Sequence, residues 1–206
     1  MNVPTVGADD DRRITRRTVL GGVGAASLAT LAGCFGGSGN GDGSESVPDP
    51  ISIDEGKECD QCGMIIGNYD GPAGQSHYED PTALEELDED RPAQFCSSLC
   101  TYMFTFNHES EPQVSHLTDY SAVEYEVDTS TAQTTISRHL EADAFGDVTE
   151  LTMVANSDVK GAMGESIVPF SDADQANEFQ SEYGGDIYEH SEITQELVSS
   201  MMSGGM

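Results

Sequence analysis

Residues 171–190 read SDADQANEFQSEYGGDIYEH, and this stretch decides how the second half of the chain is organised. Asp172 to Asp174 put carboxylates in the first turn of a prospective helix, where the macrodipole favours negative charge. Gly184 and Gly185 come after Tyr183 at the point where a helix commonly closes on a residue with positive φ. The spacing predicts a helix from Asp172 to Tyr183 and a strand over Asp186–His190. Working outward, the runs near 150–155 and 164–169 read as two strands ahead of that helix.

The chain has 206 residues, with 38 acidic side chains against 8 basic ones and a net charge of −30. Three of the acids (Asp9, Asp10, Asp11) and four of the bases (Arg12, Arg13, Arg16, Arg17) lie before residue 34. The remainder of the chain is therefore more lopsided still, with Lys57, Arg91, Arg138 and Lys160 as its only lysines and arginines. Self-repulsion on this scale strains a compact domain in dilute buffer, whereas multimolar salt shrinks the Debye length to a few ångströms. The charge thus points to a high-salt organism. The acids are interspersed with Tyr, Phe, Val and Ile rather than gathered in a tail, which argues for a folded domain over disorder. A phosphate backbone needs a basic patch, so nucleic acid is excluded as a partner.

Residues 1–33 read as a targeting segment. Four arginines precede a short Gly/Ala-rich apolar run from Thr18 to Ala32, shorter than the roughly 20 apolar residues that span a bilayer. Thr15-Arg16-Arg17-Thr18-Val19-Leu20 resembles a twin-arginine signal, used to export folded proteins. Leu31-Ala32-Gly33-Cys34 resembles a lipobox, in which Cys34 becomes the acylated first residue of the mature chain. Residues 34–50 then form a Gly/Ser-rich tether. The expected functional domain is 51–195, outside the cell and anchored to the outer face of its membrane, with 196–206 as a disordered tail.

Four further cysteines fall in two close pairs, Cys59 and Cys62 as C-x-x-C and Cys96 and Cys100 as C-x-x-x-C. Two such pairs are a metal-knuckle arrangement, because each short loop aims two thiolates at one ion. Three chemistries fit: disulfides, which an extracellular chain invites; a zinc tetrathiolate; and copper(I). Residues as close as these make strained bridges that serve redox or metal exchange better than stapling. Read as the opening of a strand, Cys62-Gly63-Met64-Ile65-Ile66 would present a thiolate and a thioether on one face. Paired soft sulfur ligands select copper(I).

Met163 lies between glycines in Lys160-Gly161-Ala162-Met163-Gly164, which places it on a loop close to backbone. Met103 reads as helix core, and Met201, Met202 and Met206 as part of a frayed tail. His77 is a candidate third ligand; His108, His116, His139 and His190 show no pairing at metal-binding spacing. The acidic runs 85–90 and 172–174 lack calcium-loop spacing and read as solvated faces. No nucleophile elbow, phosphate loop or catalytic carboxylate pair occurs, so the chain does not read as an enzyme.

In this order the residues resemble the NosL family. The resemblance runs from Cys59-Asp60-Gln61-Cys62-Gly63-Met64 through Gly71-Pro72-Ala73-Gly74-Gln75, Gln94-Phe95-Cys96-Ser97-Ser98 and Thr118-Asp119-Tyr120 to Ala162-Met163-Gly164 and the Phe179 to Ile187 segment. It implies an α+β fold of two ββαβ modules forming one compact domain after the signal peptide and tether, over about 58–130 and 145–195. The first module would comprise strands near 63–67 and 74–79, a helix near 96–107 and a strand near 120–127. It also implies a copper(I)-binding lipoprotein that serves maturation of nitrous oxide reductase, with that enzyme or its copper-assembly machinery as partner. Many members have only the second cysteine of the C-x-x-C and lack counterparts of Cys96 and Cys100. Cys62, Met64 and Met163 are therefore the ligands that the resemblance implies, with Cys59, Cys96 and Cys100 as further sulfur candidates. Phe95-Cys96-Ser97-Ser98-Leu99-Cys100 also resembles the second half of YHS/TRASH metal modules. Two alternatives stand beside the copper reading: a structural zinc-thiolate interaction module and a thiol-disulfide redox protein.

Overall fold

The computed structural model describes residues 47–81, 84, 87 and 91–204. The predicted leader, Cys34 and most of the tether lie outside these residues, as does most of the acidic run 85–90. Glu45–Met206 forms one compact unit.

Two modules with the same strand order make up this α+β domain. In the first, β1 (Gly74–His77), β2 (Ala93–Phe95), α1 (Ser98–Asn107) and β3 (Val114–Thr118) form a ββαβ unit. Its antiparallel sheet runs β2-β1-β3 and is extended past β3 by a later strand at Phe145–Asp147. Two short strands, β4 (Val127–Asp128) and β5 (Thr134–Ile136), precede that strand, which is β6. The second module comprises β7 (Thr152–Ala155), β9 (Ile167–Phe170), α2 (Ala173–Tyr183) and β10 (Asp186–Glu189), with β8 (Val159–Lys160) between β7 and β9. Its sheet runs β10-β7-β9, so in both modules the first strand lies at the centre, flanked by the second and the third. A small third sheet, β4-β5-β8, which no sequence signal foreshadows, includes one parallel pair, β5 with β8.

The second sheet is buried on both faces. Met153, Ala155 and Ile167 turn toward Leu99 and Tyr102 of α1, while Val154, Val168 and Phe170 turn toward Ala176 and Phe179 of α2. Successive strand residues point to opposite faces, so β7 and β9 read as near-continuous apolar runs. The shared layer joins the modules. Ser98 Oγ at the start of α1 accepts a hydrogen bond from Ile167 N at 3.2 Å. Asp119 Oδ1 accepts from both Ser121 N (2.9 Å) and Ser171 N (2.8 Å), tying the exit of β3 to the entrance of α2.

The helix predicted from residues 171–190 forms as α2. Asp172 caps it, accepting from Asp174 N and Gln175 N, and Gly184 ends it at φ +72°. Three expectations are corrected. The segment 63–67 is not a strand: Gly63 sits at φ +74° and a 3-10 turn covers Ile66–Asn68, because the chain here closes a loop. The first module's last strand is 114–118 rather than 120–127, most of which is turn and irregular chain. Finally, the tail forms a helix, α3 (Gln195–Gly204), whose Val198 and Met201 are buried with Leu99, Tyr102 and Met153. An apolar face with a core to cover outweighs Ser/Gly composition.

Candidate metal centre

The first cysteine pair sits on a mini-hairpin. Glu58 and Ile65 form an antiparallel bridge, Cys59 N donates to Met64 O at 2.8 Å, and Gly63 N donates to Cys59 O at 2.8 Å. Positive φ at Gly63 turns the chain inside this loop, a conformation glycine adopts without steric cost. Cys59 is buried and Cys62 exposed. The second pair straddles the start of α1. Ser97 is the N-cap, its hydroxyl accepting from Cys100 N at 3.1 Å. Cys96 therefore precedes the cap and Cys100 lies in the first turn.

A polar clamp brings the pairs together. The Asp60 carboxylate accepts from both terminal nitrogens of Arg91 (2.7 and 2.8 Å) and from Gln94 N (2.7 Å). Asp60 N in turn donates to Gln94 O at 2.9 Å. The hairpin is thus fixed to β2, which leads directly into Cys96. All four sulfurs lie within 4.8 Å of one another, with Cys62 Sγ to Cys96 Sγ at 3.6 Å and Cys96 Sγ to Cys100 Sγ at 3.7 Å. A tetrahedral ion with metal–sulfur bonds of about 2.3 Å requires sulfur–sulfur edges of roughly 3.8 Å. The donor set and its spacing fit a thiophilic ion. All four cysteines are free thiols.

Close packing of the thiols differentiates them electrostatically. Hydrogen bonds from Cys100 and then Cys96 pull the Cys59 thiol far below its ordinary pKa. The same contacts raise the other two: Cys96 through its bonds with Cys100 and Cys59, and Cys100 through its bond with Cys59. One thiolate is thereby held by neighbouring S–H groups, and an entering cation displaces the remaining protons.

Met64 and Met163 are half-buried, and both pack against the apolar cluster that contains Cys59, Cys96 and Cys100. Met64 reaches it from the cysteine hairpin, although not through the extended geometry expected of Cys62-Gly63-Met64. Met163 arrives from the second module on a tight turn. Gly161 N donates to Gly164 O (2.9 Å) and Gly164 N to Gly161 O (3.1 Å). Lys160 Nζ locks the base onto both Glu165 oxygens at 2.7 and 2.8 Å. This turn lies against Gly71, where an added Cβ would meet Gly161 Cα at 2.8 Å, so a side chain at residue 71 would push the two segments apart.

Among the described residues, this cysteine cluster is the one group of three or more Cys, His, Asp or Glu ligands placed to hold a metal. The domain is thus a pair of ββαβ modules with a four-sulfur cluster, placed to hold a metal, on the first of them. The NosL family profile matches residues 50–198, and the chain belongs to that family. It is 27% identical over 189 residues to the copper-binding lipoprotein NosL of Stutzerimonas stutzeri, covering 89% of each chain. In fold it matches the crystal structure of the copper chaperone NosL from Shewanella denitrificans, with a TM-score of 0.57 and 26% identity over 70% of this chain and 95% of that one.

Proposed function

We propose that this chain is a lipid-anchored, extracytoplasmic copper(I) carrier, not an enzyme, that captures the ion on sulfur and passes it on for maturation of nitrous oxide reductase. One observation carries the reading: Cys62 is the exposed member of a four-sulfur cluster whose other thiols are buried, and two half-buried methionines pack against the same cluster. Copper(I) is the ion that mixed thiolate and thioether sets select. With Cys62, Met64 and Met163 at the accessible side and Cys59, Cys96 and Cys100 behind, an incoming ligand can bind the ion at Cys62 before the buried thiols let go. The copper-binding and chaperone descriptions of the two relatives support this reading. The order of twin-arginine signal, lipobox at Cys34 and Gly/Ser tether supports the location.

A competition titration against a chromophoric copper(I) chelator tests it. Replacing Met64 and Met163 together with Leu roughly conserves volume, so folding changes by less than about 1.5 kcal/mol, while copper(I) affinity falls. Cys62→Ser is more damaging than either methionine change, because it removes a charged ligand.

A second reading rests on the sulfur spacings of 3.6 and 3.7 Å, close to the edge of a zinc tetrathiolate. If the Leu variants bind copper(I) as tightly as the parent while Cys96→Ser and Cys100→Ser abolish binding, the thioethers are not ligands and the four-cysteine cage is the site.

A further inference from the structure

The sulfur centre gathers more donors than one soft ion takes. Four thiols lie within 4.8 Å of one another, and the half-buried Met64 and Met163 pack against the same cluster, whereas a tetrahedral ion has only four positions. Charge sharpens the excess. Four thiolates around one copper(I) would leave three uncompensated negative charges at a site where three of the cysteines are buried. Arg91 and Lys160, the cations tied to the converging segments, are already engaged by Asp60 and Glu165, at 2.7 Å each. Buried charge without a partner is costly, so a full set of thiolates is a poor final state for a monovalent ion.

One pair is placed to leave that set by forming a bond. Cys62 Sγ lies 3.6 Å from Cys96 Sγ. A disulfide needs about 2.05 Å, an approach of roughly 1.5 Å that side-chain rotation supplies. Cys62 is exposed, so it can turn without repacking a core. The backbone is already held for it. Asp60 N donates to Gln94 O, Gln94 N donates to the Asp60 carboxylate, and Cys62 and Cys96 each lie two residues beyond that clamp. The other close pair is less free. Cys96 Sγ and Cys100 Sγ are 3.7 Å apart, but both residues are buried. The turn between them is fixed by Ser97, whose hydroxyl accepts from Cys100 N and whose carbonyl accepts from Thr101 N, both at 3.1 Å.

We propose that the cluster is also the reductant of its own cargo: Cys62 and Cys96 deliver two electrons to copper(II), and the remaining sulfurs hold the copper(I) that results. The step extends the copper reading above and rests on it. It balances as two copper(II) ions and two thiols giving two copper(I) ions, one Cys62–Cys96 disulfide and two protons. Copper(II) meets the exposed Cys62 first, and ligation displaces the thiol proton. The electron then passes from thiolate to metal, because soft sulfur ligands favour copper(I). A second copper(II) takes the second electron as the sulfurs of Cys62 and Cys96 join. One copper(I) stays with Cys59 and Cys100, where two thiolates leave a single excess negative charge, and the other is released. Each chain performs this step once, until a thiol donor reopens the bridge by exchange.

The test adds copper(II) without oxygen to the fully reduced chain in high salt and follows the electron paramagnetic resonance signal of the ion. Alkylation after the metal is stripped, with peptide mass spectrometry, then maps the cysteines. The expected result is that two equivalents of copper(II) per chain lose their signal and a third keeps it. The disulfide recovered joins Cys62 to Cys96, with Cys59 and Cys100 alkylated. Cys62→Ser, at an exposed position, should slow the loss of signal at least tenfold while near-UV circular dichroism is unchanged. An undiminished signal, a disulfide that joins another pair or two chains, or a Cys62→Ser variant that reduces copper(II) as fast as the parent overturns the proposal. Copper(I) supplied directly separates this inference from the carrier reading. A parent chain that binds copper(I) tightly yet leaves copper(II) unreduced is a carrier and not a reductant, whereas a chain that fails to hold copper(I) overturns both.

Discussion

Asp60→Asn tests whether the clamp between the cysteine hairpin and β2 assembles the metal centre. The carboxylate accepts three charge-assisted hydrogen bonds, two from Arg91 and one from Gln94 N, and the side chains are 7% and 19% exposed for Asp60 and Arg91. Hydrogen bonds to a charged group contribute about 1.5–3 kcal/mol. Partial exposure of Arg91 argues against the top of that range, so about 2 kcal/mol is a fair expectation for the clamp. Asparagine keeps the shape but loses the charge and turns an amide toward donors. If that stabilisation serves to hold Cys59 and Cys62 beside Cys96 and Cys100, the bound ion must supply it in the variant. At 1.4 kcal/mol per decade, affinity should fall about 10- to 30-fold. Copper(I) competition in high salt measures this, with far-UV circular dichroism checking that the fold persists. An affinity within about twofold of the parent, or under 0.5 kcal/mol, would refute the reasoning, since the two pairs would then converge without the clamp.

Two other expectations concern the domain as a whole. Met201 is 3% exposed in the core shared by α1, α3 and the second sheet, so Met201→Ala should cost about 2–4 kcal/mol in chemical denaturation; a loss below about 1 kcal/mol would mean that α3 is not docked in solution. With a net charge of −30, near-UV circular dichroism should be lost on dialysis to low salt and return when salt is restored; a full signal at tens of millimolar salt would refute screening as the condition for folding.

Some elements are readable in the sequence and others are hidden, for identifiable reasons. The helix at 173–183 is legible because its signals are local: Asp172 at one end, Gly184 and Gly185 at the other. The segment 63–67 reads as strand because Ile65 and Ile66 favour one, while Gly63 at positive φ decides the conformation. The final helix is hidden by its Ser- and Gly-rich composition, since its stability comes from apolar partners about a hundred residues upstream in α1. At the metal centre, the cysteine pairs announce themselves by spacing. The clamp that closes them into one cluster does not, because Asp60 and Arg91 are 31 residues apart and nothing in either neighbourhood indicates the pairing. His77 stays outside the cluster, because the β1–β3 register sets it beside His116 instead.

The repeated strand order gives the two modules equivalent positions that chemistry has filled differently. Counting from the N-caps Ser97 and Asp172, Cys96 corresponds to Ser171 and Cys100 to Gln175. The second module is thus the first module's frame without its cysteines, and its methionine that packs against the cysteine cluster, Met163, sits on a turn rather than on its helix. Its helix is accordingly free to take a surface of acids, including Asp174, Glu178 and Glu182, that would crowd a site built there. Placing cysteines at 171 and 175 would recreate only half a centre, because no partner hairpin with a C-x-x-C precedes β7. A repeated frame thus presents two surfaces of different chemistry, thiols at the terminus of one helix and carboxylates along the other.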